Sequence, residues 1–294
     1  MNKDTVFLVA GGDLRQVYTA AHLAKHYNVY AAGFSESVRI PENVKVLRSL
    51  SDMPCRADVL ILPLPVSQNG VFVSTPLGKD NIPLTALFSV LSDDALIFGG
   101  RIDAETEKIF RNNSKEAIDY LEREELSVLN AVPTAEGAVQ IAMEEMATTI
   151  FGQKVLITGH GRISKVLVKI LCGMGADVTV TARKYSDLAW AEIYGCKGVH
   201  TSQLTERAGD YSLIFNTVPS VILGEEVLRK VGSDTLIIDL ASKPGGVDFE
   251  IARTLGLKVV WALSLPGKVA PISAGEIIAS TVLNILKERR YTDG

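Results

Sequence analysis

The run Val155-Leu156-Ile157-Thr158-Gly159-His160-Gly161-Arg162-Ile163-Ser164 limits what this chain can fold into more than any other stretch. An apolar strand runs into two glycines, and apolar periodicity from about residue 162 to 174 then opens a helix. Gly159 allows the tight turn, and Gly161 lets the backbone approach a pyrophosphate. The helix start offers N–H groups and the positive end of its dipole to phosphate. Ser164 stands where such turns usually carry Gly or Ala. It is small enough for close helix–strand packing, although its hydroxyl needs a partner. Strand-like runs follow at 178–182, 213–216, 235–239 and 258–261, so residues 152–270 are expected to form a doubly wound parallel sheet.

The end of the second strand of this series carries Arg183 and Lys184. An NAD site would place Asp or Glu here for the ribose 2′-hydroxyl, and none occurs from 178 to 186. Arg183 can make a forked contact to a 2′-phosphate and Lys184 can add a point charge, so NADP(H) is the expected cofactor. The plainer reading is a solvated pair at a strand end. Asn216, Thr217, Val218 and Pro219 end the next strand, and Asp239, Ala241 and Ser242 the one after. Loops at the carboxyl ends of open α/β sheets reach the ligand. These residues therefore complete the expected cofactor site with Gly159, His160, Gly161, Arg162, Ile163 and Ser164. Asp239 also has a simpler reading as a turn cap.

The first part of the chain repeats the alternation. A strand from Thr5 meets the turn Gly11-Gly12-Asp13, helical periodicity runs through Leu23, and further strands are expected at 29–33, 59–64 and 95–98. Residues 1–132 read as an α/β substrate domain of catalytic type. Residues 133–151 read as a connecting helix capped by Thr134. In 271–294, Ser273 and Glu276 have capping-box spacing ahead of an amphipathic helix. The predicted architecture is α/β, with two Rossmann-like domains, doubly wound parallel sheets, and the C-terminal helix returning to the N-terminal domain.

With 30 Lys and Arg against 34 Asp and Glu, the chain has no basic field for a phosphate backbone, and nucleic acid is not expected as a partner. No apolar run reaches the roughly 18 residues that span a membrane, and no signal-like segment opens the sequence, which reads as cytoplasmic. Cys55, Cys172 and Cys196 form no CxxC pair and read as small core residues of a reducing compartment. His22 and His26 lie four apart but lack the HExxH glutamate and a third ligand, so no metal is expected.

The combination NAVPTAEGA at 130–138, GHGRIS with TARK, FNTVP, DLASKPGG, and SLPGKVAPISAGEI at 264–277 closely resembles the A subunit of dipicolinate synthase from spore-forming bacteria. VAGGDLRQ near the start, PLPVSQNG at 63–70 and FGGRI at 98–102 extend the likeness over essentially the whole chain. The domain plan also resembles alanine dehydrogenase and the 2-hydroxyacid dehydrogenases. The resemblance implies a role in sporulation, with a flavoprotein-like B subunit of dipicolinate synthase, in the final NADP-dependent oxidation of a dihydrodipicolinate-type ring to dipicolinate. It implies the mother-cell cytoplasm as the location and is compatible with a homo-oligomer. Two other readings stand beside it: a non-catalytic NADP-binding subunit regulating its partner, and a dehydrogenase of a small amino or hydroxy acid.

A heterocyclic dicarboxylate entering a partly dry interdomain cleft needs cations, because unpaired buried charge is costly. Arg15, Ser67, Arg101, Asn130 and Thr134 are the candidate substrate-binding residues. Lys268 and Glu136 are the candidate catalytic ones, with no single base assigned. Each has a plainer reading: a solvated helix residue for Arg15, a helix cap for Arg101, an ion pair for Lys268 and a partner of the helix dipole for Glu136.

Overall fold

The computed structural model describes residues 4–79 and 81–292, apart from the side chains of 290–292, and divides the chain into two compact units. One takes the chain as far as Asn130 together with the segment from Ala270 onward; the other is Ala131–Val269.

In the first unit the strands are β1 (Val6–Ala10), β2 (Asn28–Ala32), β3 (Lys45–Val46), β4 (Ala57–Ile61), β5 (Leu91–Gly99) and β6 (Ala117–Asp119), of which β1, β2 and β4 are short, mostly apolar runs. They make one parallel sheet in the order β3-β2-β1-β4-β5-β6, with α1 (Leu14–Leu23), α2 (Leu84–Phe88) and α3 (Ala104–Asn112) between strands, and α4 (Glu124–Glu145) then carries the chain from this unit into the other. Alternate residues of β1 serve opposite faces. Phe7 and Val9 join one cluster with Leu23 and Val29, while Leu8 and Ala10 join another with Leu60 and Leu84. A parallel strand covered on both sides must be apolar throughout, which is why VFLVA shows no polar alternation.

The second unit repeats the plan. Its strands β7 (Lys154–Thr158), β8 (Asp177–Ala182), β9 (Lys197–His200), β10 (Leu213–Asn216), β11 (Leu236–Asp239) and β12 (Lys258–Trp261) run in the order β12-β11-β10-β7-β8-β9. Between and after them come α5 (Arg162–Gly173), α6 (Tyr185–Ile193), α7 (Leu204–Arg207), α8 (Glu225–Leu228), α9 (Phe249–Thr254) and α10 (Leu265–Val269). The buried stripe of α5, Ser164, Leu167, Val168 and Leu171, lies over one sheet face. The strand order reverses direction at β7, between β8 and β10, and crevices at such switch points take ligands.

Two helix boundaries differ from the sequence reading. The expected connecting helix at 133–151 is instead α4, which begins at Glu124 and ends at Glu145 with Pro133 inside it. Thr134 is therefore an interior residue and not the N-cap. Pro133 removes only its own amide bond to the preceding turn, and buried Leu126, Ala131, Ala135 and Ala138 carry the helix through it. Similarly, the final helix, α11 (Pro271–Thr292), starts two residues before Ser273, with proline at a first-turn position that needs no N–H. Ser273 is thus not the cap. Glu276 faces His22 at 3.4 Å and Lys25 at 3.6 Å, close to or within α1.

The C-terminal helix returns to the N-terminal unit. Ile278, Ala279, Val282, Ile285 and Leu286 of α11 share a buried cluster with Phe7 and Val9. At the crossing with α1, a Cβ on Gly275 would lie 2.5 Å from the Arg15 carbonyl oxygen, 2.8 Å from Tyr18 Cβ and 2.9 Å from the Thr19 nitrogen. Backbone cannot yield as a flexible side chain can. Gly275→Ala should therefore cost about 1–3 kcal/mol in overpacking, more than the gain of about 1 kcal/mol in helix propensity. Urea unfolding should show a lower midpoint; an equal or higher one would mean that the helices separate without cost. Among the described residues, no helix is long and apolar enough to cross a membrane, and no group of three or more His, Cys, Asp and Glu could hold a metal.

Candidate functional site

Each unit leads its first strand through a glycine turn into a helix, and the two turns differ where a phosphate would sit. In the first unit Asp13 is the N-cap of α1: its carboxylate accepts from the Arg15 backbone N–H at 2.9 Å and from the Arg15 guanidinium at 2.8–3.1 Å. That helix start already holds an anion belonging to the chain. In the second unit the N-cap of α5 is Gly161, with no side-chain cap. Gly159 has φ +84°, and a Cβ there would meet Val218 Cγ2 at 2.8 Å, so the turn itself requires glycine. Gly161 is different. Its φ is −86°, and a Cβ there would meet nothing within 4 Å. Neither its backbone nor its neighbours require glycine, and the open space lies at a helix start whose dipole favours an anion. A dinucleotide pyrophosphate fits this cradle.

Beside the glycine turn runs β8. The Gly159 N–H donates to the Thr181 carbonyl at 2.8 Å, which ties the glycine turn to the strand two residues before Arg183. Arg183 and Lys184 are exposed. The Arg183 carbonyl can only accept, so the 3.1 Å contact makes His200 Nε2 its donor, while His200 Nδ1 accepts from the Ser202 N–H at 3.3 Å. Tyr185 stacks on the His200 ring, with centroids 5.3 Å apart.

Helix α6 and the residue after it supply a wall that the sequence reading does not foresee. The Tyr194 ring lies 6.0 Å from that of His160, and Trp190 stacks on Tyr194 at 5.8 Å. Burial holds the His160 imidazole below its ordinary pKa; Lys165 pushes the same way and Asp187 opposes it. The available signal is three aromatics, Tyr185, Trp190 and Tyr194, closely following the strand end that carries Arg183.

Asp239 lies deeper. It is fully buried, and its carboxylate accepts from Asn216 Nδ2 at 2.7 Å, the Ala241 N–H at 3.0 Å and the Gly246 N–H at 2.8 Å. Asn216 Oδ1 accepts from the Thr158 hydroxyl at 2.5 Å and the Val218 N–H at 3.2 Å. The ends of β7, β10 and β11 are thereby joined beneath the loops at 217–219 and 241–246. The side chains of Asn216 and Asp239 are occupied in shaping those loops, while Thr217, Val218, Pro219, Ala241 and Ser242 lie on them.

The remaining candidates are spread over the two units. In the first, Arg15 is neutralised by Asp13 and also donates to the Leu64 carbonyl at 3.2 Å. The buried Ser67 hydroxyl donates to the Phe72 carbonyl at 2.6 Å, closing a local turn. Arg101 is exposed and has φ +55°; the Asp119 carboxylate accepts from the N–H groups of Arg101 at 3.1 Å and Ile102 at 2.8 Å. A non-glycine residue held in the left-handed region at a strand's carboxyl end is a place where strain tends to accompany function. Asn130 is the last residue of this unit and Thr134 lies in the other, both along α4 and both partly buried, whereas Glu136 is exposed. In the second unit a Cβ on Gly137 would lie 3.0 Å from Val269, so the elements carrying Glu136 and Lys268 are side by side.

Residues 6–121 match the family model of the N-terminal domain of the dipicolinate synthase A subunit. The chain is 32% identical over 296 aligned positions, 97% of either sequence, to the A subunit of dipicolinate synthase from Bacillus subtilis (strain 168). The crystal structure of the dipicolinate synthase A chain from Bacillus subtilis superposes with a TM-score of 0.87 at 31% identity, covering 99% of both chains. That of the dipicolinate synthase A subunit from Bacillus halodurans gives 0.86 at 28% identity, covering 96% of this chain and 97% of that one.

Proposed function

The chain belongs to the family of dipicolinate synthase A subunits, and from that membership we propose that it binds NADP(H) and oxidises a dihydrodipicolinate-type heterocyclic dicarboxylate to dipicolinate, in company with the B subunit of dipicolinate synthase. The observation that carries the cofactor reading is the uncapped start of α5. Gly161 leaves open space there, whereas the equivalent helix start of the first unit holds Asp13.

Aromatising such a ring removes two electrons and two protons, one proton leaving with both electrons as hydride. Bound nicotinamide supplies the hydride acceptor. The protein's part is to hold the dinucleotide with Gly159–Ser164, Arg183 and the loops at 217–219 and 241–242, and to provide a group for the second proton. Glu136 is the proposed base, and Lys268, on the adjoining element, is the second candidate; both side chains are exposed. Arg101, fixed by Asp119, is the proposed anchor for a substrate carboxylate. Arg15 and Ser67, with their partners above, shape the turns around it.

The test is turnover by the purified chain with a dihydrodipicolinate-type substrate and NADP+, alone and with the B subunit added. NADP+ reduction by the chain itself supports a catalytic role. Reduction only when the second protein is present favours a chain that carries cofactor for its partner, and none with either overturns the reading. Arg101→Met and Lys268→Met should each weaken dipicolinate binding by about 2–5 kcal/mol where a buried charge pair is lost, with NADP(H) affinity unchanged. Unaltered dipicolinate binding in both variants excludes them as anchors.

A further inference from the structure

We propose that His160 senses the 2′-phosphate of the cofactor, taking up a proton when that phosphate binds; the inference rests on the nucleotide reading above. The Gly159-to-Thr181 hydrogen bond holds the turn that carries His160 beside the end of β8, at the start of α5. Its ring faces Tyr194, just after α6, the helix that follows Arg183 and Lys184 in the chain. Both ring nitrogens are buried, and neither has a hydrogen-bond partner among the described residues. A neutral imidazole has one N–H and one lone pair, and buried groups of this kind are paired in nearly all folded proteins. The unmet donor and acceptor point to a partner that arrives with the ligand.

Among the described residues, the charged groups around the ring are few. Lys165 of α5 and Asp187 of α6 act on it, Tyr194 and Trp190 wall it, and Arg183 lies at the end of β8. Asp187 offsets one of the cations. A 2′-phosphate brings close to two negative charges, and a neutral histidine can answer by accepting a proton from solvent on its free nitrogen. Both ring nitrogens are then donors, and no other bond changes. NAD(H) lacks the trigger.

Calorimetry of NADP+ and NAD+ binding near neutral pH, in two buffers of different ionisation enthalpy, reads the protons taken up. The expected result approaches one proton per site with NADP+ and none with NAD+. NADP+ affinity should rise by up to about tenfold per unit fall in pH between the free and bound pKa values of His160. In His160→Gln, which keeps a donor and an acceptor but cannot ionise here, the uptake and the slope should vanish. The phosphate's own titration, near about pH 6, is common to both proteins and cancels in their difference. Repeated at about pH 8, where the free 2′-phosphate is already fully ionised, the comparison of the two cofactors needs no variant, so a folding defect in His160→Gln leaves the test standing. Equal uptake with both cofactors would put the trigger at the pyrophosphate and overturn the inference, as would the same proton count in parent and variant. Failure of both dinucleotides to bind would overturn the nucleotide reading itself.

Discussion

Changing Arg183 and Lys184 together to alanine is expected to remove most NADP(H) affinity and leave NAD(H) affinity nearly unchanged. The two cofactors differ only in the 2′-phosphate, and the end of β8 carries both cations, exposed and extended from a pinned backbone. A charge-assisted hydrogen bond contributes about 1.5–3 kcal/mol, or roughly tenfold to a hundredfold for each cation fully engaged. Exposure and salt reduce this, so the lower part of the range is expected at physiological ionic strength. Asp187 sharpens the outcome. It remains four residues beyond Arg183 and close enough to act on His160, so the variant keeps a carboxylate near the ribose and should prefer NAD(H). Added salt should weaken NADP(H) binding more in the parent than in the variant. Calorimetric titration of both proteins with both cofactors decides it. Equal parental affinities for NAD(H) and NADP(H), or a parallel loss of both in the variant, would mean that these cations are surface residues.

The glycine turn of the second unit is legible in the sequence because its signal is local: an apolar strand, two glycines and a helix in direct succession. What depends on tertiary placement is not. β3 has two residues, β6 three and β9 four, too short for an alternation to be told from a loop, and neighbouring strands alone make them strands. Pro133 suggests a helix start, yet buried alanines on both sides of it carry α4 straight through. The wall formed by Asp187, Trp190 and Tyr194 follows from the path of α6 past the glycine turn, which no periodicity reports. Asp13, by contrast, is readable in principle, since an aspartate directly before a helix is a favoured N-cap. Recognising it separates the two glycine turns from sequence alone.

Asp239 reads from sequence both as a cofactor residue and as a turn cap, and its replacement should give the largest loss of stability. Its oxygens accept three hydrogen bonds in a fully buried setting, from Asn216 Nδ2 and the N–H groups of Ala241 and Gly246. All three partners are donors, so only a group with two accepting oxygens suits the site. Asp239→Asn places an NH2 against Gly246 N–H in one rotamer, or against Asn216 Nδ2 and Ala241 N–H in the other, and each arrangement opposes donors in a buried space. Asp239→Ala leaves all three donors without their partner, at about 1–3 kcal/mol for each that finds no substitute. Either change should cost about 3–5 kcal/mol, the range for breaking a buried charged cluster from one side. For a unit of this size that is a fall in Tm of roughly 6–20 °C, at about 2–4 °C per kcal/mol. The two variants should be similarly unstable although one is nearly isosteric, because acceptor count and not volume sets the cost. The loops at 217–219 and 241–246 hang on the same carboxylate, so NADP(H) binding should weaken even below the melting range. Urea unfolding checks the claim: a midpoint near that of the parent for Asp239→Asn would show that one accepting oxygen suffices and that the cluster is not what holds the strand ends together.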